Sequence, residues 1–315
     1  MVLEKRVDTL KPGSRFREWL LDVLGDRISD KNCRVAVYKL LPASHTVCRY
    51  EFLGSGYSVV AKFYAEPTGW KRDYDPIKAL KKEFATLTSV GKIIDIPKTI
   101  AIKESFNCVL VTEFVKGRSL YRYMKIEEDL YDRLTAVAHT LRRLHDNTKT
   151  VYSKELEFGK FHKVLNHLKL DSDTRKIYDR LLGEWWHSDI LNVPYGCRIH
   201  NDANPTNYIF DGRKLYAIDF ESSWEGANFV HDLGIVAAEL KHYFAMHRGD
   251  GMRAEPYIGH FLWQYSQGLD EFRSITRILP FFIALGLLRI VRLGINPDNS
   301  CFILKEAMAC LNSKG

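Results

Sequence analysis

Paired cysteines are absent from this sequence. Its six cysteines are spread over 315 residues, and none stands in a C-x-x-C pair or at a spacing typical of a zinc site. Residues 1–13 contain no apolar core of the kind that a secretory signal has. These absences argue against a disulfide framework and a structural zinc site, and they predict a reduced, cytoplasmic protein.

A long uninterrupted hydrophobic run is also missing. The most apolar stretch lies at 278–295, and it is interrupted by Pro280, Arg289 and Arg292. Its charge-free part is too short to span a bilayer, because a membrane helix needs about 20 apolar residues. We therefore expect a buried helix here and no membrane span.

The charge balance excludes a protein that coats nucleic acid through positive charge alone. The chain has 46 basic and 39 acidic residues, a net charge of +7, and an excess of 5 positive charges lies within residues 1–115. That surplus is compatible with a small anionic ligand in the first third, although charge alone favours a solvated basic face. With 46% hydrophobic residues the chain can bury a core, and its length predicts about two domains.

The first third has the pattern of an antiparallel sheet that carries a helix. Helical spacing at 14–25 and 76–91 is bounded by a capping Ser14, a leading Pro76 and closing glycines. Strand-like runs separated by short turns cover 34–41, 46–53, 57–64, 98–104 and 107–115. Strands in this meander order predict antiparallel pairing.

The rest of the chain has mainly helical patterns. The composition changes at residues 116–118, and helical periodicity follows, interrupted by a short β-like segment at 197–221. We therefore predict an α+β protein with a sheet-rich domain at 1–115 and a helical domain at 116–315.

The β-like segment has the composition of a phosphoryl-transfer site. Asp202 and Asn207 lie five residues apart in a loop, and a hairpin with its turn at 211–212 ends at Asp219. Folding that hairpin back brings Asn207 and Asp219 together, and their oxygens are ligands that Mg²⁺ takes beside nucleotide phosphates. Asp202 remains as a separate carboxylate, placed to accept a hydroxyl proton.

These residues carry a family resemblance. His200-Asn201-Asp202, followed by Asn207 and then by Ile218-Asp219-Phe220-Glu221, resembles the motifs of the aminoglycoside phosphotransferase and choline kinase family. The resemblance implies a two-lobed protein-kinase-like fold, with an antiparallel-sheet lobe that binds nucleotide and a helical lobe that supplies the catalytic loop. It also implies transfer of the γ-phosphoryl group of ATP or GTP, with Mg²⁺, to a hydroxyl of a small molecule. Asp202 would be the catalytic base.

Motifs upstream continue the resemblance in the same order. Lys62, which ends a Val-Val-Ala run, resembles the strand lysine that contacts phosphate, and Glu83 resembles the helix glutamate that pairs with it. The segment 111–120 is similar to the hinge that closes on the base, which makes Glu113 and Val115 candidate nucleotide contacts.

The turn that covers the nucleotide is placed around Ser44 and His45, where backbone N–H groups can meet phosphate. His200 is expected to hold the loop backbone, and Asp232 to cap a helix, rather than to act in catalysis. Glu221 replaces the glycine of the protein-kinase Asp-Phe-Gly motif. For Glu221, contact with metal, contact with a cationic substrate and exposure to solvent all remain open.

Other functions fit this pattern less well. Only 12 residues separate Asp219 from Asp232 and no Ala-Pro-Glu follows, which is too short for the peptide-docking segment of a protein kinase. A metal-dependent hydrolase would need a second histidine at ligand spacing near the cluster. The alternatives left open are a catalytically weak kinase-like binding module and a kinase of aminoglycosides or of larger glycan, lipid or protein substrates.

The acceptor is expected to be a small alcohol that is not a polycation. The region 116–315 contains 27 basic and 25 acidic residues, whereas a polycation favours a densely acidic cleft. Four aromatic residues are candidates to stack on a sugar or a quaternary ammonium, or are ordinary core: Trp185, Trp186, Tyr195 and Trp224. We expect neither nucleic acid nor a membrane as a partner.

Overall fold

The chain divides into two compact units in the computed structural model, which describes residues 3–67, 74–294 and 297–313. The first unit consists of Met1–Arg118 and Ile209–Glu221, and the second of Ser119–Tyr208 and Ser222–Gly315. The end of the first segment at Arg118 lies close to residue 115, where the sequence predicts the end of the first domain. The hairpin that leads to Asp219 was expected in the helical domain, and it packs instead with the first unit.

Within the described residues, six antiparallel strands form the sheet of the first unit. In chain order they are β1 (Leu3–Leu10), β2 (Val35–Leu41), β3 (His45–Phe52), β4 (Ser58–Pro67), β5 (Thr99–Lys103) and β6 (Val109–Glu113). Across the sheet the order is β1-β2-β3-β4-β6-β5, and each neighbouring pair is antiparallel. Strand β1 pairs along the length of β2 and has no counterpart among the sequence patterns above.

Two of the described α-helices belong to the first unit. Helix α1 (Arg15–Leu24) packs Leu20 and Leu24 into a buried apolar cluster with strand residues such as Phe52. Each such fully buried side chain contributes about 1.5–3 kcal/mol to folding. Helix α2 (Pro76–Val90) begins after Asp75, whose side chain accepts the backbone N–H of Lys78. Glu83 is buried on this helix.

A hairpin of two short strands, β9 (Tyr208–Asp211) and β10 (Lys214–Ala217), packs mostly with the first unit. A Cβ atom at Gly117 would lie 2.2 Å from the carbonyl oxygen of Phe210, so only glycine allows the two backbones to approach this closely. The N–H of Ala217 donates to the carbonyl of Asp95 at 3.1 Å. These backbone contacts explain why the hairpin packs with the first unit, although its position in the sequence predicted that it would belong to the helical domain.

Eight helices described in the second unit make up most of it. They are α3 (Leu120–Ile126), α4 (Leu130–Asp146), α5 (Lys154–His167), α6 (Ser172–Trp186), α7 (Val230–Arg248), α8 (Glu255–Tyr265), α9 (Leu269–Arg292) and α10 (Ser300–Asn312). Strand β7 (Arg118–Ser119) lies at the division between units, and β8 (Cys197–Ile199) pairs antiparallel with β11 (Trp224–Ala227).

Helices α7 and α9 cross in close contact at two glycines. A Cβ atom at Gly234 would lie 2.3 Å from the Cβ of Phe282, and one at Gly286 would lie 2.6 Å from the Cβ of Ala238. Larger residues at either position would push the helices apart. The crossing therefore determines how residues beyond it, such as Glu239 and Arg289, are placed.

Helix α9 contains the apolar run noted in the sequence. Among the described residues, Leu269–Leu293 is the segment long and apolar enough to cross a membrane, and 67% of its most apolar window is buried inside the protein. Burial of this kind is typical of a core helix. The buried helix expected from the sequence is present, and Pro280 lies within it.

Candidate active site

Four charged side chains of the first unit form a lysine cluster: Lys62, Glu83, Asp219 and Glu221. The Lys62 Nζ lies 3.0 Å from Glu83 Oε2, 2.8 Å from Asp219 Oδ1 and 2.9 Å from Glu221 Oε2. Strand β4 supplies the lysine, helix α2 supplies Glu83, and the segment after β10 supplies the other two carboxylates. The structure thus brings together the lysine and glutamate paired from the sequence, and adds Asp219 and Glu221 to them.

Burial and charge act in opposite directions on the lysine cluster. Burial lowers the pKa of Lys62, but Asp219, Glu83 and Glu221 hold that pKa well above its ordinary value. Burial raises the pKa of Glu83, whose carboxylate also accepts the Tyr64 hydroxyl, and Lys62 opposes that rise. The lysine therefore stays charged, and it neutralises carboxylates that would otherwise repel one another.

Glu221 connects the lysine cluster to the turn before β3. Its Oε2 lies 3.1 Å from Nε2 of the buried His45, and its Oε1 accepts the Ser44 hydroxyl at 3.4 Å. Although burial raises the pKa of Glu221, its bond to His45 and the charge of Lys62 bring it well below the ordinary value. The geometry adds a structural role to the three possibilities left open for Glu221, because the carboxylate holds Ser44 and His45 in place.

The predicted hinge borders a cavity of about 480 Å³ in the first unit. Glu113, at the end of β6, and the adjoining Phe114 line it, and Val115 follows half-buried. The guanidinium of Arg49 also lines the cavity, 4.2 Å from the ring centre of Tyr38 and 5.0 Å from that of Phe114. Arg49 is also paired with Glu4 at 2.8 Å and with Glu51 at 3.2 Å, so aromatic rings and paired charges line this cavity.

The loop that carries Asp202 belongs to the second unit. The Asn207 side chain donates to the backbone carbonyl of Asp202 at 2.9 Å and to its Oδ2 at 3.1 Å. Arg289 of helix α9 donates to Asp202 Oδ1 at 2.8 Å and to the Asn201 carbonyl at 2.5 Å. Both oxygens of the candidate base are therefore oriented, one by the amide five residues further on and one by a distant arginine.

Asp232 holds the backbone of this loop. Its fully buried carboxylate accepts the N–H of His200 at 2.7 Å and of Asn201 at 2.8 Å, and His145 Nε2 lies 3.1 Å away. Burial raises the pKa of Asp232, but the bond to His145 and the neighbouring histidine charges lower it further than burial raises it. The expected helix cap is thus a support for the loop, and Asn201 takes a left-handed φ of 63° there.

The geometry agrees with a comparison against known families. A family model described as the phosphotransferase enzyme family matches residues 43–272, which is most of the chain. The chain belongs to the phosphotransferase enzyme family. The resemblance stated from the sequence is confirmed, and so is the expectation of a small-molecule phosphotransferase.

Solved structures of low sequence identity share the fold of this phosphotransferase. An ethanolamine kinase from Plasmodium vivax matches with a TM-score of 0.60 and 17% identity, over 89% of this chain and 83% of that one. A choline kinase from Streptococcus pneumoniae matches with a TM-score of 0.61 and 14% identity, over 95% and 100%. An amicoumacin kinase in complex with AMP-PNP, Ca²⁺ and Ami matches with 0.59 and 18%, over 88% of each.

These matches confirm the predicted α+β, protein-kinase-like fold of the phosphotransferase. No curated protein sequence matches the chain.

The aromatic residues considered for stacking have other partners. Trp185 is fully buried and donates its ring N–H to the Leu311 carbonyl at 2.8 Å, which makes it core. The Trp224 ring lies under the Lys160 ammonium, and the Tyr195 ring under that of Lys149. Trp186 is 38% exposed and packs edge-on against a neighbouring phenylalanine. No aromatic cage for a quaternary ammonium forms from these four residues.

Two charged residues beside Asp202 were missed by the sequence reasoning. Arg289 was noted only as an interruption of an apolar run, and Glu239 of helix α7 was not noted at all. Burial and the Asp202 charge raise the pKa of Glu239 to about 7, and Arg289 opposes the rise. The available signal was a charged side chain within a helix that also carries many apolar residues, because such a charge needs a partner when the helix is buried.

Glu239→Gln is expected to remove a pH-dependent loss of stability. The pKa of this carboxyl group is raised from 4.5 to about 7, so its protonated form favours folding. That contribution is complete below the unfolded-state pKa and is lost as the pH rises through the folded-state value. Between about pH 5 and pH 8, the free energy of unfolding should fall by about 2–3 kcal/mol in the wild type relative to the variant.

Urea unfolding at a series of pH values measures this difference. Glu128→Gln is the matched control, because Glu128 is an exposed glutamate of the same unit, and its curve should run parallel to that of the wild type. A Glu239→Gln curve that also ran parallel would contradict the assignment.

Proposed function

We propose that the protein transfers the γ-phosphoryl group of ATP or GTP, with Mg²⁺, to a hydroxyl group of a small molecule. One observation carries this proposal: the carboxylate of Asp202 is oriented on both oxygens, beside an asparagine at the spacing of a kinase catalytic loop. Family membership supports the same reaction. Six free cysteines fit the cytoplasmic location that we propose with it.

Asp202 is assigned the role of general base. Its Oδ2 receives one N–H from Asn207, and its Oδ1 receives one from Arg289. A carboxylate oxygen has two lone pairs, so each still has room to accept the proton of an acceptor hydroxyl. The two donors fix the direction of those lone pairs, which is what proton abstraction in a transition state requires.

Lys62 is assigned to the phosphates of the nucleotide, with Glu83 as its positioning partner. The ammonium is kept charged by its carboxylate neighbours and is 12% exposed, so phosphate oxygens can reach it. Ser44 and His45 are proposed to present backbone N–H groups to the same phosphates, in a turn that Glu221 braces.

The residues present fit Mg²⁺. Asn207 uses its amide N–H groups on Asp202, which leaves its side-chain carbonyl oxygen for a cation. Asp219 offers a carboxylate that is 35% exposed. Hard oxygen donors of this kind are typical magnesium ligands, and we propose Asn207 and Asp219 as the pair that holds the ion. When bound, Mg²⁺ neutralises charge on the transferring phosphoryl group.

The base of the nucleotide is proposed to lie in the cavity beside Glu113 and Val115. Phe114 lines that cavity and supplies an aromatic ring as a flat surface. Stacking on that surface suits either adenine or guanine, so ATP and GTP are both candidate donors. The amicoumacin kinase solved with AMP-PNP and Ca²⁺ supports a nucleotide with a divalent cation.

Asp202→Asn should abolish phosphoryl transfer and leave nucleotide binding nearly unchanged. The amide keeps the shape of the carboxylate but cannot accept the proton, and a positioned base is worth roughly 10²–10⁴ in rate. Turnover and nucleotide affinity are measured on one preparation. Asp211→Asn is the matched control, because Asp211 is exposed in the neighbouring hairpin. Near-normal turnover by Asp202→Asn would remove this residue from the mechanism.

Asp219→Ala should weaken Mg²⁺-dependent nucleotide binding more than Asn207→Ala does. A carboxylate neutralises the cation as well as coordinating it, whereas an amide only coordinates it. Nucleotide is titrated at several Mg²⁺ concentrations, with unfolding curves to confirm that each variant is folded. Equal affinities of Asp219→Ala and the wild type at every concentration would show that Asp219 does not hold the ion.

A further inference from the structure

Charged residues of two helices interact electrostatically with Asp202 in the second unit. Arg289 of α9 contacts Asp202 directly at 2.8 Å. Arg292 lies one turn further along α9, and the charges of Arg289 and Asp202 both affect its pKa. The same two charges affect the pKa of Glu239 on α7. Arg289 and Arg292 are three residues apart and so lie on the same face of α9, which puts a second guanidinium group one turn from the one that contacts Asp202.

The crossing of α7 and α9 builds this arrangement. Gly286 contacts Ala238 where the helices cross, and Arg289 and Glu239 lie just beyond that contact on their respective helices. Helices that approach this closely bring side chains of adjacent turns within range of each other. The charges around Asp202 thus follow from packing of the helical core.

The two arginines have hydrogen-bonding capacity to spare. A guanidinium has five N–H donors, and the hydrogen bonds of Arg289 to Asn201 and Asp202 come from its Nη1 and Nη2. Arg292 is exposed to solvent, and no carboxylate in the described part of the chain pairs with it. Two guanidinium groups that repel each other without a full set of partners are stabilised by an anion.

The balance of charge near Asp202 argues against a cationic acceptor. Near neutral pH, the two positive charges of Arg289 and Arg292 face one negative charge of Asp202 and a partly ionised Glu239, whose pKa is about 7, so the group has no excess of negative charge. A polyamine or a quaternary ammonium approaching Asp202 would lose its hydration without gaining a full counter-charge.

We propose that the acceptor carries an anionic oxygen group, a carboxylate or a phosphate, in addition to its reacting hydroxyl, and that Arg289 and Arg292 bind that group. The inference rests on the proposed function and adds the class of acceptor to it. The acceptor oxygen forms the new bond to the γ-phosphorus, and the bond from that phosphorus to the β–γ bridging oxygen breaks. The hydroxyl proton passes to Asp202, and the nucleoside diphosphate leaves with the bonding electron pair.

Matched acceptors test the charge requirement. Pairs that differ in the anionic group are glycerate with glycerol and glucose 6-phosphate with glucose, and the cationic arm uses choline and kanamycin. Nucleotide consumption is measured together with ³¹P detection of the product. We expect kcat/KM for the better anionic acceptor to exceed that of its neutral partner at least about 10-fold, and the two pairs separate carboxylate from phosphate recognition.

Substitutions on helix α9 test which residues recognise the anion. Arg292→Gln should raise KM for the anionic acceptor about 10- to 100-fold, with a smaller change in kcat, and Arg292→Lys should restore part of the affinity. Arg277→Gln is the matched control, because Arg277 is an exposed arginine of the same helix. Nucleotide affinity, measured separately, should be the same in all of these variants.

The outcomes separate the inference from the proposed function. Turnover of choline or kanamycin with no turnover of either acidic acceptor overturns the inference and leaves the kinase assignment intact. Equal KM values for Arg292→Gln and Arg277→Gln on an acidic acceptor also overturn it. Failure of the proposed function would appear instead as the absence of Mg²⁺-dependent nucleotide binding, which is measured without any acceptor.

Discussion

The Lys62 ammonium compensates three carboxylates that the first unit brings together. Glu83 comes from a helix, whereas Asp219 and Glu221 come from a segment that lies more than 150 residues after Lys62 in the chain. Removing one partner of a buried ion pair costs about 3–5 kcal/mol, and here a single removal would leave several like charges in contact. Packing of strand β4, helix α2 and the hairpin around this point therefore depends on one positive charge, which is also the group proposed to meet phosphate.

In the second unit, a single buried carboxylate supports the residues of the site, as the Lys62 ammonium does in the first. Asp232 accepts two consecutive backbone N–H groups of the loop and lies against His145, so the loop backbone just before Asp202 is held by hydrogen bonds. Bonds between a carboxylate and backbone N–H groups are among the stronger ones in proteins. Each unit thus presents its reactive side chains on a support of buried, paired charge, and family membership is what links the two sets to one reaction.

Local motifs predicted much of this arrangement. Lys62 and Glu83, and separately Asp202 and Asn207, are recognisable because their chemistry is tied to a short spacing or to a strand and the next helix. Arg289 and Glu239 were not predicted, since their place beside Asp202 comes from a helix crossing rather than from any nearby motif. Residues 209–221 were assigned to the wrong unit for the same reason, because the approach of Gly117 to Phe210 has no signature in sequence order. The role of Glu221 also needed the fold, which brings His45 to it.

The account depends most on the coupling between Lys62 and Glu83 in nucleotide binding. A double-mutant cycle measures it directly, from the dissociation constants of the Mg²⁺–nucleotide complex for the wild type, Lys62→Met, Glu83→Gln and the double variant, each first shown to be folded. If Glu83 acts by positioning Lys62, the second substitution should add little to the first, with a coupling energy of at least about 1 kcal/mol. Effects that add within about 0.5 kcal/mol would contradict the account, because they would mean that the two side chains act on the nucleotide independently.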